Sequence, residues 1–196
     1  MTSTPPELPS AETLYNVYFA PWIPDEDVRA HTLRGDVEQV ELPPGGHIRS
    51  LCPLTTEARQ QVEAQLGQIT RAARADLGAL LERAGDPSLE WLERLETVVT
   101  PAKLQSWLRG SDPAKPDNTY LLVCCETGAL IAEVLRREHP ALRWLPDLPY
   151  FESALFDLNT LTLIPVFHWA IKTLSGDKPH PLRDKITATR DFLDKR

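Results

Sequence analysis

The sequence predicts an α+β fold in which a layer of helices and one long helix pack on a small antiparallel sheet. Residues 55–109 carry apolar side chains at spacings of three and four, which is the period of an amphipathic helix. Residues 142–168 instead carry short apolar runs around turn residues, a pattern typical of strands. With 196 residues, of which 42% are hydrophobic, the chain is long enough to bury a core without disulfides or a structural metal.

The composition indicates a cytoplasmic protein that binds neither nucleic acid nor a membrane. The formal net charge is −7 at pH 7, and no dense cluster of Lys and Arg is present that would follow a phosphate backbone. No apolar run reaches the roughly 18 residues of a membrane helix, and the N-terminus lacks the pattern of a signal peptide. A protein partner is compatible with this composition, which leaves the oligomeric state open.

Neither the cysteines nor the histidines predict a metal or cofactor site. Cys52, Cys124 and Cys125 lack CxxC spacing, so we expect three buried free thiols. No two histidines have the i, i+4 spacing of a zinc-binding helix. We therefore predict no metal and no cofactor. The potential ligand residues are scattered along the chain, at His139, His168, His180, Asp147 and Asp157.

The N-terminal unit is expected to follow a flexible arm. Residues 1–13 form this arm, since they are largely polar and rich in proline. The aromatic segment 14–23, LYNVYFAPWI, is typical of a short strand or of an extended chain laid over the core. Residues 36–54 begin with alternating apolar residues and then contain a Pro-Pro-Gly-Gly turn. With the helices that follow, this unit covers residues 14–110.

Three consecutive helices are predicted after these extended segments. The first covers residues 55–84, with Thr55 or Thr56 as its capping residue. The next two begin at the Asp-Pro and Thr-Pro pairs at 86–87 and 100–101, because proline favours the first helical position. The first helix has an apolar stripe wide enough for a partner helix, formed by Val62, Leu66, Ile69, Ala73, Leu77, Leu80 and Leu81.

The C-terminal unit, residues 118–196, is predicted to begin after a linker at 110–118. It starts with a long helix over residues 118–139 that carries one apolar stripe. Gly128 lies in the middle of this helix, and the lack of a side chain there indicates that another element packs closely. We expect the two units to form one compact domain.

A β-hairpin and a final helix complete the predicted fold. Residues 150–158 and 161–168 flank an Asn-Thr pair and are typical of two antiparallel strands. Pro165 cannot donate to a strand ladder, so the second strand is expected at an edge or with a bulge. The final amphipathic helix turns four apolar residues inward: Leu182, Ile186, Phe192 and Leu193.

The hairpin region contains the candidate functional residues. Glu152 and His168 share one face only if the hairpin loop has an odd length, because side chains alternate along a strand. With Asp157 they would supply the catalytic side chains of a hydrolase. The Trp144–Tyr150 loop is instead a candidate surface for a protein partner, since Trp and Tyr dominate binding hot spots. No catalytic motif is complete, and the candidate binding residues are Trp144, Asp147, Tyr150, Glu152, His168 and Trp169.

Residues 118–174 also carry a resemblance. A long helix with Gly128 and Glu133 leads to Arg143-Trp144 and then to an apolar hairpin. This order resembles small uncharacterised bacterial proteins, including some immunity proteins that neutralise secreted toxins. In those proteins a helix with a small-residue and Glu pattern leads into a Trp-bearing strand. The resemblance implies a cytosolic α+β domain and supplies no active-site residues.

These observations favour a non-enzymatic, protein-binding function, of which a toxin-neutralising immunity protein is the most concrete form. Two alternatives stay open. One is a hydrolase-type enzyme that uses Glu152 and His168. The other is a structural or regulatory subunit assembled through the helix at residues 55–84.

Overall fold

The computed structural model describes residues 7–24, 32–42, 51–52, 54–177 and 180–195. Within these residues the chain forms seven α-helices and one four-stranded sheet, which confirms the α+β class. The helices are α1 (Ala11–Tyr18), α2 (Thr56–Leu81), α3 (Leu89–Val98), α4 (Pro101–Gly110), α5 (Thr119–Glu138), α6 (Val166–Thr173) and α7 (Leu182–Asp194). The strands are β1 (Glu38–Gln39), β2 (Arg143–Leu145), β3 (Ala154–Asp157) and β4 (Thr162–Ile164).

The sheet combines one N-terminal strand with three C-terminal strands. Its order is β1-β4-β3-β2, and every neighbouring pair is antiparallel. Gln39 of β1 lies opposite Thr162 of β4, so β1 forms one edge of the sheet and β2 the other. The turn predicted at Gly45-Gly46 lies outside the described residues and stays a prediction.

The prediction of an extended segment at residues 14–23 is wrong, because α1 covers its first half and a turn of 3-10 helix covers residues 20–22. Ser10 caps this helix, and its side chain accepts the N–H of Thr13 at 3.2 Å. Packing of one helical face against the core outweighs the preference of aromatic residues for strands. The buried residues recur at helical spacing: Ala11, Leu14, Tyr15 and Tyr18.

The prediction of a flexible arm at residues 1–13 is wrong for residues 7–13. Residues 1–6 lie outside the described part of the chain. The N–H of Gly176 donates to the carbonyl of Pro9 at 2.7 Å. The carboxylate of Asp177 accepts the N–H of Ala11 at 3.0 Å. The start of α1 is therefore anchored to the loop that follows α6.

The hairpin is shorter than predicted, and its second half is helical. Residues 150–152 form a turn of 3-10 helix, so β3 has only four residues. β4 ends before Pro165 and α6 begins after it, which places His168 on a helix. Pro165 lacks the N–H that a ladder needs, and its carbonyl accepts the N–H of Trp169 at 3.1 Å. The proline therefore ends the strand and starts the helix.

Three of the four central helices begin where the sequence prediction placed them. Thr55, Thr100 and Asn118 each accept a backbone N–H from the first turn of α2, α4 and α5. The cap of α2 is thus Thr55 rather than Thr56, a choice that the sequence left open. The exception is α3, which begins at Leu89 after its N-cap Ser88 rather than at Pro87.

The apolar stripe of α2 is buried within the chain itself. A partner helix cannot reach it in this structure, so the stripe gives no support to assembly through α2. The same core extends across the predicted linker at 110–118, and the two units therefore form one continuous structure. The buried stripe consists of Val62, Leu66, Ile69, Ala73, Leu77 and Leu81.

Helices α5 and α6 cross closely at Gly128, as the small residue predicted. A Cβ atom at this position would lie 2.4 Å from Cδ1 of Phe167 and 2.9 Å from its Cα. Both distances are too short for any side chain, so only glycine allows this approach. Phe167 also stacks on Trp144, with ring centroids 5.8 Å apart. The crossing therefore positions α6 against both the long helix and β2.

Replacement of this glycine tests the crossing. We expect Gly128→Ala to lower the free energy of unfolding by about 1–3 kcal/mol, because the added methyl group must displace α6. Gly67→Ala is the matched control on α2, where a Cβ would meet only Nη1 of Arg71 at 3.6 Å. This control should raise stability by about 0.5–1 kcal/mol. Urea denaturation of both variants measures the difference, and equal effects of the two substitutions would contradict the crossing.

Candidate functional site

Glu152 and His168 are brought together, although not by a hairpin. Nε2 of His168 on α6 lies 3.3 Å from Oε1 of Glu152, which ends the 3-10 turn before β3. The hydroxyl of Tyr15 on α1 donates to the same oxygen at 3.0 Å. Nδ1 of His168 accepts the backbone N–H of Arg34 at 2.8 Å. We call these four residues the Glu152 network.

One hydrogen bond fixes how the ring of His168 is used. Because Nδ1 accepts a backbone N–H, it carries no proton. Nε2 lies 3.3 Å from Oε1 of Glu152 but without the geometry of a hydrogen bond, and it makes none with any described residue. Burial and then the Glu152 charge raise the pKa of Tyr15, so its phenol stays a hydrogen-bond donor. The buried histidine is therefore held through Nδ1 alone.

A small cavity lies beside the Glu152 network. Its volume is about 160 Å³, and Arg34, Asp147 and Glu152 form its polar end. The guanidinium of Arg34 pairs with Glu38 at 3.0 Å, so this cation is already neutralised. Apolar side chains from the outer face of the sheet and from neighbouring segments form the rest of the lining: Val40, Leu51, Leu145, Ala154 and Leu163.

Asp157, the third residue of the hydrolase hypothesis, lies in a separate environment. Its buried carboxylate accepts the hydroxyl of Thr160 at 3.0 Å and the N–H of Asn159 at 3.1 Å. The nearest imidazole is that of His139, whose Nε2 lies 3.6 Å away. Asp157 therefore stabilises the β3–β4 turn, and the three hydrolase residues do not converge.

The nucleophilic side chains in this region are also used structurally. The hydroxyl of Ser153 accepts the N–H of Asp147 at 2.9 Å. Cys52, Cys124 and Cys125 are buried and free, as predicted. Burial raises the pKa of Cys124 well above its ordinary value and that of Cys125 to about 12, which disfavours the reactive thiolate.

The residues predicted to face a partner are largely turned inward. Trp144 is half-buried through its stacking on Phe167, and Tyr150 is half-buried as well. Asp147 accepts the N–H of the following residue, Leu148, at 2.9 Å. Trp169 is fully buried, and its indole N–H donates to a backbone carbonyl. The Trp144–Tyr150 segment is thus a packed connection between β2 and the 3-10 turn.

A larger cleft, which the sequence reasoning missed, lies between α7 and the segment around β1. Its volume is about 660 Å³, and we call it the α7–β1 cleft. The sequence prediction turned Phe192 inward with Leu182 and Leu193, but Phe192 is half-buried and faces this cleft. The cleft is lined by Asp36, Val37, Gln39, His180, Asp184, Lys185, Ala188, Thr189 and Phe192.

Ion pairs hold the two walls of the α7–β1 cleft together. Nζ of Lys185 on α7 donates to Oδ1 of Asp36 at 2.9 Å, and Nζ of Lys172 on α6 lies 3.4 Å from the same oxygen. Lys185 also lies over the ring of Trp169, 5.0 Å from its centroid. Burial raises the pKa of Asp36, but the two lysines outweigh it and the pKa is lowered. The carboxylate therefore stays charged and links α6, α7 and the segment before β1.

A further ionisable residue, Glu126, lies on α5 away from both sites. It is buried, and burial followed by the charge of Asp76 raises its pKa to about 7. The sequence offers little signal for this raised pKa, since Glu126 simply follows Cys124 and Cys125. Asp76, whose charge contributes, lies far away along the chain. The carboxyl group is thus partly protonated at neutral pH.

No known family, curated protein or solved structure matches this chain in the three comparisons made. No group of three or more potential metal-ligating side chains converges in the parts of the chain that the structure describes. None of the helices there is long and apolar enough to cross a membrane. The geometry of the two sites is accordingly the basis on which we propose a function.

The raised pKa of Glu126 predicts a pH dependence of stability. Between pH 4.5 and about 7 the Glu126 carboxyl binds more protons in the folded protein than in the unfolded chain, so its contribution to stability falls as pH rises through this window. We expect Glu126→Gln to be more stable than the wild type above this window and to lose the advantage near its lower end. Urea midpoints across the window measure this.

Glu63→Gln, on the exposed face of α2, is the control, and its difference from the wild type should not vary in the same way. A constant difference between Glu126→Gln and the wild type at all pH values would contradict the raised pKa.

Proposed function

We propose that the protein is a non-enzymatic binding module that contacts a partner protein through the α7–β1 cleft. The observation that carries this proposal is the cleft itself, which is lined by both apolar and charged side chains. Its volume of about 660 Å³ lies within the range typical of binding sites. Protein interfaces likewise combine apolar contacts with polar and charged groups.

The position of α7 supports this reading of the cleft. Its inner face is buried by Leu182, Ile186 and Leu193. Ala188 and Phe192 lie one turn apart beside that face and line the cleft, where Ala188 is exposed and Phe192 half-buried. Phe192 also packs against the core of the chain, so the surface that the helix offers to a partner is centred on Ala188.

The hydrolase and subunit alternatives receive less support. Glu152 and His168 meet, but His168 is buried with Nδ1 occupied by a backbone N–H, and Asp157 lies elsewhere. The α2 stripe is occupied by the core. A binding function needs no reactive group, so it is compatible with a chain whose candidate nucleophiles all serve the fold.

The most concrete form of the proposal is an immunity protein that neutralises a toxin in the bacterial cytoplasm. Such a protein acts by covering a functional surface of the toxin. The net charge of −7 favours a basic partner, because complementary charge accelerates association and excludes acidic competitors. A toxin gene adjacent to the gene for this protein would identify the partner to test.

Affinity capture from the native lysate tests the binding function. We expect the wild-type protein to retain one partner in stoichiometric amount, and Ala188→Trp to lose it because the indole fills the α7–β1 cleft. Ala75→Trp is the matched control, since this alanine is exposed on α2, and it should retain the partner.

The readout is the molar ratio of captured partner in each preparation. Capture that is equal for the two tryptophan variants would remove the cleft from the proposal. The absence of any stoichiometric partner would overturn the binding function.

A further inference from the structure

We infer that the partner contributes an extended segment, which adds as a strand to the open edge of β1 inside the α7–β1 cleft. The segment carries apolar side chains and at least one Lys or Arg. This inference rests on the proposed binding function and specifies how the partner is recognised. It follows from the backbone geometry of β1, from the opposite wall of the cleft and from the charges around both.

Among the residues that the structure describes, β1 has a pairing partner on one side only. Val40 donates its N–H to the carbonyl of Leu161 at 2.9 Å, and Glu38 lies opposite Leu163. Because antiparallel pairing alternates, the N–H and C=O groups of Gln39 point away from β4. No strand of the described chain pairs with that outer edge. An incoming strand would find donors and acceptors there.

Helix α7 forms the wall opposite this edge. Asp184, Ala188 and Phe192 recur every four residues and line the cleft, together with Val37 and Gln39. A groove between an edge strand and a helix suits an extended peptide, since backbone pairing supplies affinity and alternate side chains enter the groove. Ala188 is the smallest side chain on the helical wall, so it leaves room for a residue of the added strand.

The charges around the groove select a basic segment. Asp36 is neutralised by two lysines, and Glu38 by Arg34. Asp184 lines the helical wall of the α7–β1 cleft, and Glu41 borders an adjoining cleft that shares Gln39 with it. Both carboxylates are exposed and form no ion pair with any described residue. A Lys or Arg on the added strand would reach one of these carboxylates.

The same charges disfavour a second copy of this chain as the occupant. A second β1 would bring another exposed carboxylate, that of Glu41, and residues 36–42 contain no Lys or Arg that could pair with it. Acidic residues near this edge thus disfavour pairing between two copies of β1, whereas a basic segment can pair with it.

Peptide titration followed by amide chemical shifts tests strand addition on the full protein. The probe is a capped peptide of alternating lysine and valine with about six residues, the usual strand length. We expect shifts at Val37, Gln39 and Ala188. Methylation of alternate backbone nitrogens on the peptide should weaken binding by about tenfold or more, because it removes the pairing donors. A glutamate–valine peptide should not bind.

Two substitutions at one position separate backbone pairing from side-chain contact. Gln39→Pro removes the outward N–H without removing a bond to β4, whereas Gln39→Thr keeps it. We expect the proline variant to bind the lysine–valine peptide about tenfold or more weakly than the threonine variant. Circular dichroism checks that both variants fold. If the proline variant does not fold, the methylated peptide provides the same test on the wild type.

Equal binding of the methylated and unmethylated peptides would overturn strand addition, as would equal binding by the two folded variants. Shifts confined to α7 would also overturn it, because they would indicate side-chain docking alone. Capture of the native partner that is sensitive to Ala188→Trp but equal for both Gln39 variants would keep the binding function and reject this mode of recognition. Loss of the function itself is recognised separately, by the absence of any captured partner.

Discussion

The contact between Gly128 and Phe167 is the constraint on which the rest of the structure depends. It sets α6 directly against α5, at a distance that no residue larger than glycine permits. Successive residues of a helix point in different directions, about 100° apart. Phe167, His168 and Trp169 therefore contact three different parts of the chain from one turn of α6, which Gly128 holds against α5.

This turn of α6 organises the N-terminal segment that carries β1. His168 accepts the N–H of Arg34, and the indole of Trp169 donates to the carbonyl of Asp36 at 2.6 Å. Lys172 and Lys185 then hold the carboxylate of Asp36 from α6 and α7. The position of β1, and with it one wall of the α7–β1 cleft, depends on these contacts rather than on the two-residue strand itself. The cleft is thus a consequence of how α6 is packed.

The same contacts explain why the polar residues of the C-terminal half form no evident reactive set. A buried polar group is costly unless it is paired, and pairing within the chain satisfies it. Glu152 and His168 connect α1, α6 and the segment at Arg34. Asp157 holds the β3–β4 turn through Thr160. These polar residues stand among aromatic residues in the sequence because they join buried elements to one another. The exposed cleft lies in a different part of the structure.

By itself the sequence determined the α+β class, the starts of α2, α4 and α5, and the close approach at Gly128, because helix periodicity, proline and capping residues, and the lack of a side chain act locally. It did not determine that residues 14–18 are helical, or that His168 lies on a helix that follows β4. In both places burial against distant residues outweighs the local preference. The meeting of Glu152 with His168, and the α7–β1 cleft, were decided only by the tertiary structure. Both join residues more than ten positions apart in the chain. Tertiary packing decides which faces of α6 and α7 are covered, and no local sequence pattern contains that information.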